Sequence, residues 1–384
     1  VATLVDLRDP ADGSLIDRGL ALAFAAPASF TGEDVVEFHV HGGPAVVDAL
    51  LRALRQIAGL RLAEPGEFSR RAFENGKLDL TQAEGLADLI DAQTETQRRV
   101  ALGLAGGALR ERAEVWRAAM LRLLAGVEAE IDFSDEDDVD SDFDRAGTLS
   151  LRDEIAATLT RAAIGERIRD GLTVAVVGEP NVGKSSLING LARRDVAIVS
   201  DVAGTTRDLI EVALDLAGVP VTLVDTAGLR ETDDPVEAEG VRRAKARAAA
   251  ADLVLHVGEC TPSSAVGQPV VNKVDLGSEL PGFRDGIIYV SAKTGAGIDV
   301  LENWLADWAG RAIRTDEPPI VTRERQRRAL EATVAYLNEA LDQSDAVLRA
   351  EALRLSGRSL GQVTGRVGVE DILDEIFGRF CIGK

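Results

Sequence analysis

The chain has 384 residues, 43 Lys and Arg against 64 Asp and Glu, a formal net charge of −21 and 46% hydrophobic residues. That length suits two or three domains at ~100–200 residues each, and the apolar share excludes wholesale disorder. The acid excess excludes a chain-wide coat for nucleic acid, because affinity for phosphate backbones is carried by Lys and Arg.

The first 75 residues read as α/β. Leu20 to Ala25 is a short apolar strand candidate, and Asp34 to Val40 alternates with period two before the turn His41-Gly42-Gly43. Pro44 to Ile57 reads as a helix with Pro in its first turn. From Thr81 to Ile131 apolar residues recur at helical spacing, with breaks expected near Gly103 and Gly106-Gly107. The run Asp132 to Asp144 holds eight carboxylates; it lacks the Gly and Glu of a calcium loop and reads as a solvated linker. Leu151 to Ile168 is again helical.

Residues 172–177 form a buried strand run that opens a second α/β region, closed by a helix near Asp299–Trp308. After Pro318-Pro319, Leu330, Val334, Leu337 and Leu341 share one helix face, and a further helix is expected over Glu370–Phe380. The expected division is an N-terminal α/β domain (1–75), a helical domain in two halves (76–170 and 310–384), and an α/β domain (171–309) inserted between them. The net charges of these segments in chain order are −4, −9, −8 and 0. The neutral last segment holds Arg323, Arg325, Arg327 and Arg328, a candidate local contact for RNA.

Gly178-Glu-Pro-Asn-Val-Gly183-Lys184-Ser185 follows a strand and precedes a helix. In that context backbone N–H groups cradle phosphates, Lys184 reaches the β and γ phosphates, and Ser185 can ligate Mg²⁺. Asp225-Thr226-Ala227-Gly228 ends an apolar strand, where the carboxylate can hold Mg²⁺ through water and Gly228 frees an N–H for the γ-phosphate. Gly204-Thr205-Thr206 lies between them, with Thr206 a second Mg²⁺ candidate. Asn272-Lys273-Val274-Asp275 can read guanine, since the Asp275 carboxylate accepts from N1–H and the 2-amino group, which adenine cannot offer as a pair. Ser291-Ala292-Lys293 can pack against the base. These elements in this order predict a P-loop GTPase of Ras-like fold. Leu229 stands where Ras-like enzymes position water with Gln, so another polar group is needed. Glu231, Asp233, Asp234, Glu237 and Glu239 are all open to that role.

Outside these motifs, Phe30 to Glu37 with His41 to Pro44, Glu64 to Phe73, Asn75 to Glu84, and the terminal Phe380-Cys381-Ile382-Gly383-Lys384 resemble the tRNA-modification GTPase family MnmE, also called TrmE, over nearly the whole chain. The resemblance implies a K⁺-activated GTPase in which the ion replaces an arginine finger. It maps K⁺ ligands to Asn181, Ser200, Val202 and Thr205, Mg²⁺ ligands to Ser185 and Thr206, and the water-orienting Glu to Glu237. The nucleotide set it implies is Asn181, Val182, Gly183, Lys184, Ser185, Ser186, Ser200, Asp201, Val202, Ala203, Gly204, Thr205, Thr206, Asp225, Thr226, Ala227, Gly228, Asn272, Lys273, Asp275, Ser291, Ala292 and Lys293. Lys184, Glu237 and Cys381 are the catalytic candidates. The N-terminal domain is expected to bind a 5-formyltetrahydrofolate-type donor through Glu37, Lys77 and Lys384, and to form a homodimer. The family's opening strand and folate-site Arg have no counterpart from Val1 onward, so an incomplete pocket is expected.

The resemblance also implies an FAD-dependent partner, MnmG (GidA), and placement of an aminomethyl or carboxymethylaminomethyl group on C5 of the tRNA wobble uridine. The alternatives are a ribosome-assembly GTPase of the Era or Der class, against which Gly365-Arg-Val-Gly368 lacks the basic flanks of a KH loop, and a folate-binding protein with a regulatory GTPase domain. Two cysteines, Cys260 and Cys381, make neither a disulfide framework nor a zinc site. No uncharged apolar run reaches the ~18 residues of a membrane span, and no secretory leader opens the sequence. A cytoplasmic setting without membrane contact is therefore expected. Only 18 residues separate Leu253 from Asn272, too few for two strand segments and a ~10-residue helix, so residues present in relatives are expected to be missing after Gly258.

Overall fold

A computed structural model describes residues 2–132, 143–194, 196–198, 211–225, 249–258 and 267–367, with Leu373, 376–378 and Phe380. Its contacts divide the chain into two compact units. The first comprises Val1–Ala87, Leu104–Phe143 and Asp342–Lys384; the second comprises Asp88–Gly103 and Asp144–Leu341.

The elements follow in chain order. Strands β1 (Ala2–Arg8), β2 (Leu15–Phe24) and β3 (Val35–His39) precede helices α1 (Pro44–Arg55), α2 (Glu67–Glu74), α3 (Leu80–Asp91), α4 (Glu95–Ala105), α5 (Ala108–Asp132), α6 (Arg145–Leu159) and α7 (Ala162–Asp170). Then come β4 (Leu172–Val177), α8 (Lys184–Ala192), β5 (Glu211–Leu216), β6 (Val219–Asp225), β7 (Leu253–Val257), β8 (Gln268–Val271), β9 (Gly282–Arg284) and β10 (Ile287–Tyr289). Helices α9 (Ile298–Ala312), α10 (Glu324–Asp342) and α11 (Ala346–Thr364) complete the series.

In the first unit, β1, β2 and β3 form an antiparallel sheet with β2 in the middle. Strand β1 and the first half of β2 were not expected from the sequence. Pro44 starts α1 with its ring in the first turn, where no N–H is needed. Asp79 starts α3 by accepting from Gln82 N at 2.9 Å, while Gln82 Oε1 accepts from Asp79 N at 3.2 Å, a reciprocal cap. Helices α5 and α11 run antiparallel. Arg349 at the start of α11 pairs with Glu130 near the end of α5 at 3.0 Å, and Arg366 beyond α11 pairs with Glu114 near the start of α5 at 2.5 Å. Between these ends they bury Trp116, Met120, Leu123, Leu353 and Leu360. Gly66 precedes α2 at φ 69°, and a Cβ there would collide with the Phe377 carbonyl. Phe377 also packs near Phe73 and Phe380, with ring centroids 6.1 and 5.9 Å away.

The second unit is built on a seven-stranded sheet in the order β5-β6-β4-β7-β8-β10-β9. The five inner strands are parallel, and β5 and β9 are antiparallel edges. Parallel strands buried on both faces need continuous apolar runs, and Val174, Ala175, Val176, Val221, Leu223, Val224, Leu255 and Val270 supply them. Leu187, Ile188 and Leu191 of α8 and Ile298, Leu301 and Leu305 of α9 join this core. Parallel neighbours ordinarily need a crossover of about a dozen residues or more, yet β7 ends at Val257 and β8 begins at Gln268. The connection is ten residues long, at the short end for such a crossover.

Three expectations change here. Gly103 lies inside α4 and does not break it; the break between α3 and α4 falls at residues 92–94. The helical stretch Leu151–Ile168 is split at Thr160-Arg161 into α6 and α7. Helix α11 was not anticipated, and the helix expected over Glu370–Phe380 lies mostly outside the described residues. No helix among the described residues is long and apolar enough to cross a membrane.

Candidate functional site

The site grows from the C-terminal ends of the parallel strands, where α/β sheets ordinarily bind ligands. Strand β4 delivers the loop Gly178–Gly183, and α8 begins at Lys184. Gly183 is the N-cap in left-handed geometry, φ 95°, and a Cβ there would strike the Asn272 side chain. Only glycine combines that backbone angle with that approach. The loop N–H groups and the helix start together make a site for phosphate.

Lys184 is buried, and its Nζ donates to the carbonyls of Gly178 and Glu179 at 2.8 Å each. Ser185 Oγ donates to Asp225 Oδ2 at 2.5 Å, and Asp225 is 1% exposed at the end of β6. A hydroxyl and a carboxylate side by side are hard oxygen donors of the kind Mg²⁺ takes.

The predicted base-reading motif is tied to the same loop. Asn272, just past β8, donates from Nδ2 to Val182 O at 3.0 Å and accepts from Ala292 N at 2.9 Å. Lys273 Nζ donates to Asn181 O at 2.5 Å, with both residues at positive φ, 66° and 65°. Asp275 Oδ1 accepts from the fully buried Ser291 Oγ at 2.5 Å, which aims the carboxylate. A cleft of about 460 Å³ opens here, lined among others by Gly183, Asn272, Lys273, Asp275, Ala292 and Lys293. The structure therefore brings together the described members of the predicted set, Asn181, Val182, Gly183, Lys184, Ser185, Asp225, Asn272, Lys273, Asp275, Ser291, Ala292 and Lys293, and Ser186 lines the cleft with them.

Sequence reasoning missed Asn189, Gly190, Arg193 and Leu276, which also line the cleft. Ser186, Asn189, Gly190 and Arg193 fall at i, i+3, i+4 and i+7, one face of α8 running into its C-cap. Helical spacing counted from Ser186 was the signal that could have found them.

Several predicted residues lie outside the described residues: Ser200, Asp201, Val202, Ala203, Gly204, Thr205, Thr206, Thr226, Ala227, Gly228, Leu229, Glu237, Cys381 and Lys384. Of the folate candidates, Glu37 is exposed on β3 with its Oε2 3.3 Å from His39 Nε2, and Lys77 Nζ donates to Pro27 O at 2.8 Å. The two are engaged separately. Gly365 of the GxxG stretch caps α11 at φ 80°, so that stretch opens as a helix terminus.

The basic cluster at residues 323–328 is paired in part. Arg323 pairs with Asp88 at 2.6 Å, Arg327 with Glu166 at 2.8 Å and Glu331 at 3.0 Å, and Arg328 with Glu324 at 2.6 Å. Hydrogen bonding to Glu166, then to Glu331, raises the Arg327 pKa further above its usual value. Arg323 and Arg327 are thus engaged inside the chain, whereas the Arg328 side chain is 71% exposed and its pair with exposed Glu324 is a surface one that contributes little.

Two family descriptions match the sequence. "MnmE helical domain" covers residues 80–381, and "GTP-binding protein TrmE N-terminus" covers residues 1–77. A tRNA modification GTPase MnmE from Parvibaculum lavamentivorans is 56% identical over 398 residues, spanning 100% of the chain and 90% of that relative. One from Rhodopseudomonas palustris is 53% identical over 401 residues, with 100% and 90% covered. One from Rhodospirillum rubrum is 53% identical over 389 residues, with 97% and 85% covered. The first two aligned spans exceed the 384 residues of the chain, so those relatives carry residues that it lacks. Among solved structures, the G domain of the T. maritima FeoB iron transporter overlaps 36% of the chain and 98% of that domain, at 23% identity and a TM-score of 0.24, a score that carries no weight for the fold.

Proposed function

The chain belongs to the MnmE family of tRNA modification GTPases, and from that premise we propose that it hydrolyses GTP under K⁺ activation to drive modification of the wobble uridine of tRNA, together with an FAD-dependent partner of the MnmG type. The observation that carries the reading is the bond network joining phosphate loop to base reader, Asn272 to Val182 and Ala292 with Lys273 to Asn181. A nucleotide held at one end is thereby registered at the other.

The residues divide the work as follows. Asp275, aimed by Ser291, accepts the two guanine N–H donors. The loop amides and Lys184 hold the β and γ phosphates; to do so Lys184 exchanges its two carbonyl partners for phosphate oxygens. Ser185, with Asp225 behind it and Thr206 from the following segment, would hold Mg²⁺, which supplies charge neutralisation at the phosphates. Glu237 orients the attacking water in place of the Gln that Leu229 replaces. Asn181, Ser200, Val202 and Thr205 would hold K⁺, which would supply positive charge for the transferring phosphate; an arginine in that role is worth about 10³–10⁵ in rate, and a monovalent ion supplies less. Glu37, Lys77 and Lys384 bind the folate-type donor, and Cys381 acts as a thiol in the modification chemistry. A cytoplasmic homodimer completes the reading.

The deciding experiment is complementation: the chain should restore wobble-uridine modification in cells lacking their own family member, and an Asp225→Ala variant should not. Restoration by both would detach modification from GTP hydrolysis; restoration by neither would reject the tRNA role.

A further inference from the structure

The stretch from Asp88 to Gln97, the end of α3 and the start of α4, belongs to the same compact unit as the GTPase sheet. It holds that sheet at three points. Asp88 Oδ1 accepts from Arg169 Nε at 3.2 Å and from Arg323 Nη2 at 2.6 Å. Arg169 lies just before β4, where the chain runs into the GTPase sheet, and Arg323 lies just before α10, where it has left the sheet. One carboxylate oxygen thus gathers both chain crossings. The three side chains are 16%, 26% and 15% exposed, so water screens their attraction weakly. Gln97 Nε2 donates to Arg169 O at 3.0 Å and secures the same crossing a second time. Thr96 N donates to Gly218 O at 3.3 Å, in the turn between β5 and β6.

The second and third points matter because of what the strands do next. Strand β4 runs from the Arg169 crossing to the phosphate loop. Strand β6 runs from the Gly218 turn to Asp225, which holds Ser185. The two are parallel neighbours, paired from Leu172↔Val221 to Val176↔Asp225. Both therefore start at the α3–α4 corner and end at the nucleotide. At ~3.3 Å per residue each spans roughly 20 Å as a stiff, buried rod.

We propose that Asp88, with Arg169, Arg323, Gln97 and Thr96, is the coupling clasp of this enzyme: it transmits the nucleotide state at Ser185 and Asp225 through β4 and β6 to helices α3 and α4, so that GTP hydrolysis drives the modification step. Asp88 is a positioning residue and touches no substrate. The idea rests on the GTPase reading above.

The test uses the full chain. Backbone hydrogen exchange of residues 88–97 is compared between GDP and a non-hydrolysable GTP analogue, in wild type and in Asp88→Asn. The wild type should show a nucleotide-dependent difference of about fivefold or more. In the variant that difference should vanish, hydrolysis should stay within about twofold, and wobble-uridine modification in cells should fall by about tenfold or more. An equal difference in variant and wild type, or no difference in wild type, overturns the clasp. Should Asp88→Asn fail to fold, Arg323→Lys keeps the charge beside the carboxylate but loses the planar donor, and the same comparison decides. Hydrolysis by wild type tests the GTPase reading separately: its absence rejects that reading, while exchange with bound nucleotide still decides the clasp.

Discussion

Ser185 Oγ lies 2.5 Å from Asp225 Oδ2, and this one bond joins the start of α8 to the end of β6. Ser185→Ala removes the proposed Mg²⁺ ligand and leaves the buried Asp225 carboxylate without that donor. If Mg²⁺ supplies several kcal/mol of charge stabilisation there, hydrolysis should fall roughly 10²–10³-fold at 1.36 kcal/mol per decade. GDP affinity should fall far less, because the loop amides persist. Steady-state hydrolysis and titration of fluorescent GDP check the two parts, and equal losses would place Ser185 in general binding.

Asp275 is held by Ser291, and its carboxylate is the only acceptor in the predicted base-reading motif suited to two guanine donors. Asp275→Asn replaces one acceptor oxygen by a donor. Hydrogen bonds to charged groups are each worth about 1.5–3 kcal/mol, so two weakened bonds should cost GTP affinity roughly 10²–10⁴-fold. Xanthosine nucleotides, which carry an acceptor at that edge, should bind the variant better than GTP. Competition binding with the two nucleotides reads the exchange directly.

The GTPase half was legible because its signals are local. A strand run, a Gly-rich loop and a helix start lie within fourteen residues, 172–185, and the chemistry of phosphate binding demands that order. Helix α11 was not, because it carries Arg349, Ser356, Ser359, Gly361 and Thr364 among its buried residues, so no clean apolar stripe marks it. The start of α4 does carry a local signal. Thr94 and Gln97 form a reciprocal cap, with Thr94 N 3.2 Å from Gln97 Oε1 and Gln97 N 3.4 Å from Thr94 Oγ1. The internal partners of Arg323 and Arg327 could not be read at all, since Asp88 and Glu166 lie 235 and 161 residues away in sequence.

If Asn181 helps to hold K⁺, hydrolysis should be faster in KCl than in NaCl at equal ionic strength, and Asn181→Ala should remove that difference while leaving slow basal turnover. Lys273 donates to the Asn181 carbonyl at 2.5 Å, a bond the substitution keeps, while Asn181 sits at φ 65°, so Asn181→Gly, which adopts that angle freely, is the control for backbone strain. Equal wild-type rates in the two salts would reject the K⁺ assignment.

Glu67 accepts from Arg61 twice at 2.8 Å and from Glu64 N at 2.8 Å. The Arg61 bonds first, then the Glu64 N–H, hold its pKa below the usual carboxylate value. A depressed folded-state pKa contributes stability above the unfolded value, lost as pH falls through the folded one. The start of α2 should therefore loosen in acid below the ordinary glutamate range. In Glu67→Gln the remaining acid dependence at this site should flatten, as amide exchange of residues 61–67 across pH, corrected for intrinsic rates, would show.

Arg349 carries the sharpest stability prediction in the first unit. It is 8% exposed, pairs with Glu130 at 3.0 Å, donates to Gln343 O and Ser344 O at 3.2 and 3.3 Å, and lies over the Phe143 ring at 4.4 Å. Arg349→Ala would strand the Glu130 carboxylate, 22% exposed, together with two carbonyls. Breaking one side of a buried pair costs about 3–5 kcal/mol, and the lower end applies where water reaches Glu130. Arg349→Met with Glu130→Gln removes both charges and keeps the volume, and should recover a large part of the loss. Trp116, fully buried in α5, reports the transition. Trp304 and Trp308 lie in the second unit and would first be changed to Phe. A urea midpoint lowered in Arg349→Ala and restored in the double variant, at unchanged slope, is the expected pattern; equal midpoints in the single and double variants would show that the lost carbonyl bonds, and not the stranded charge, set the cost.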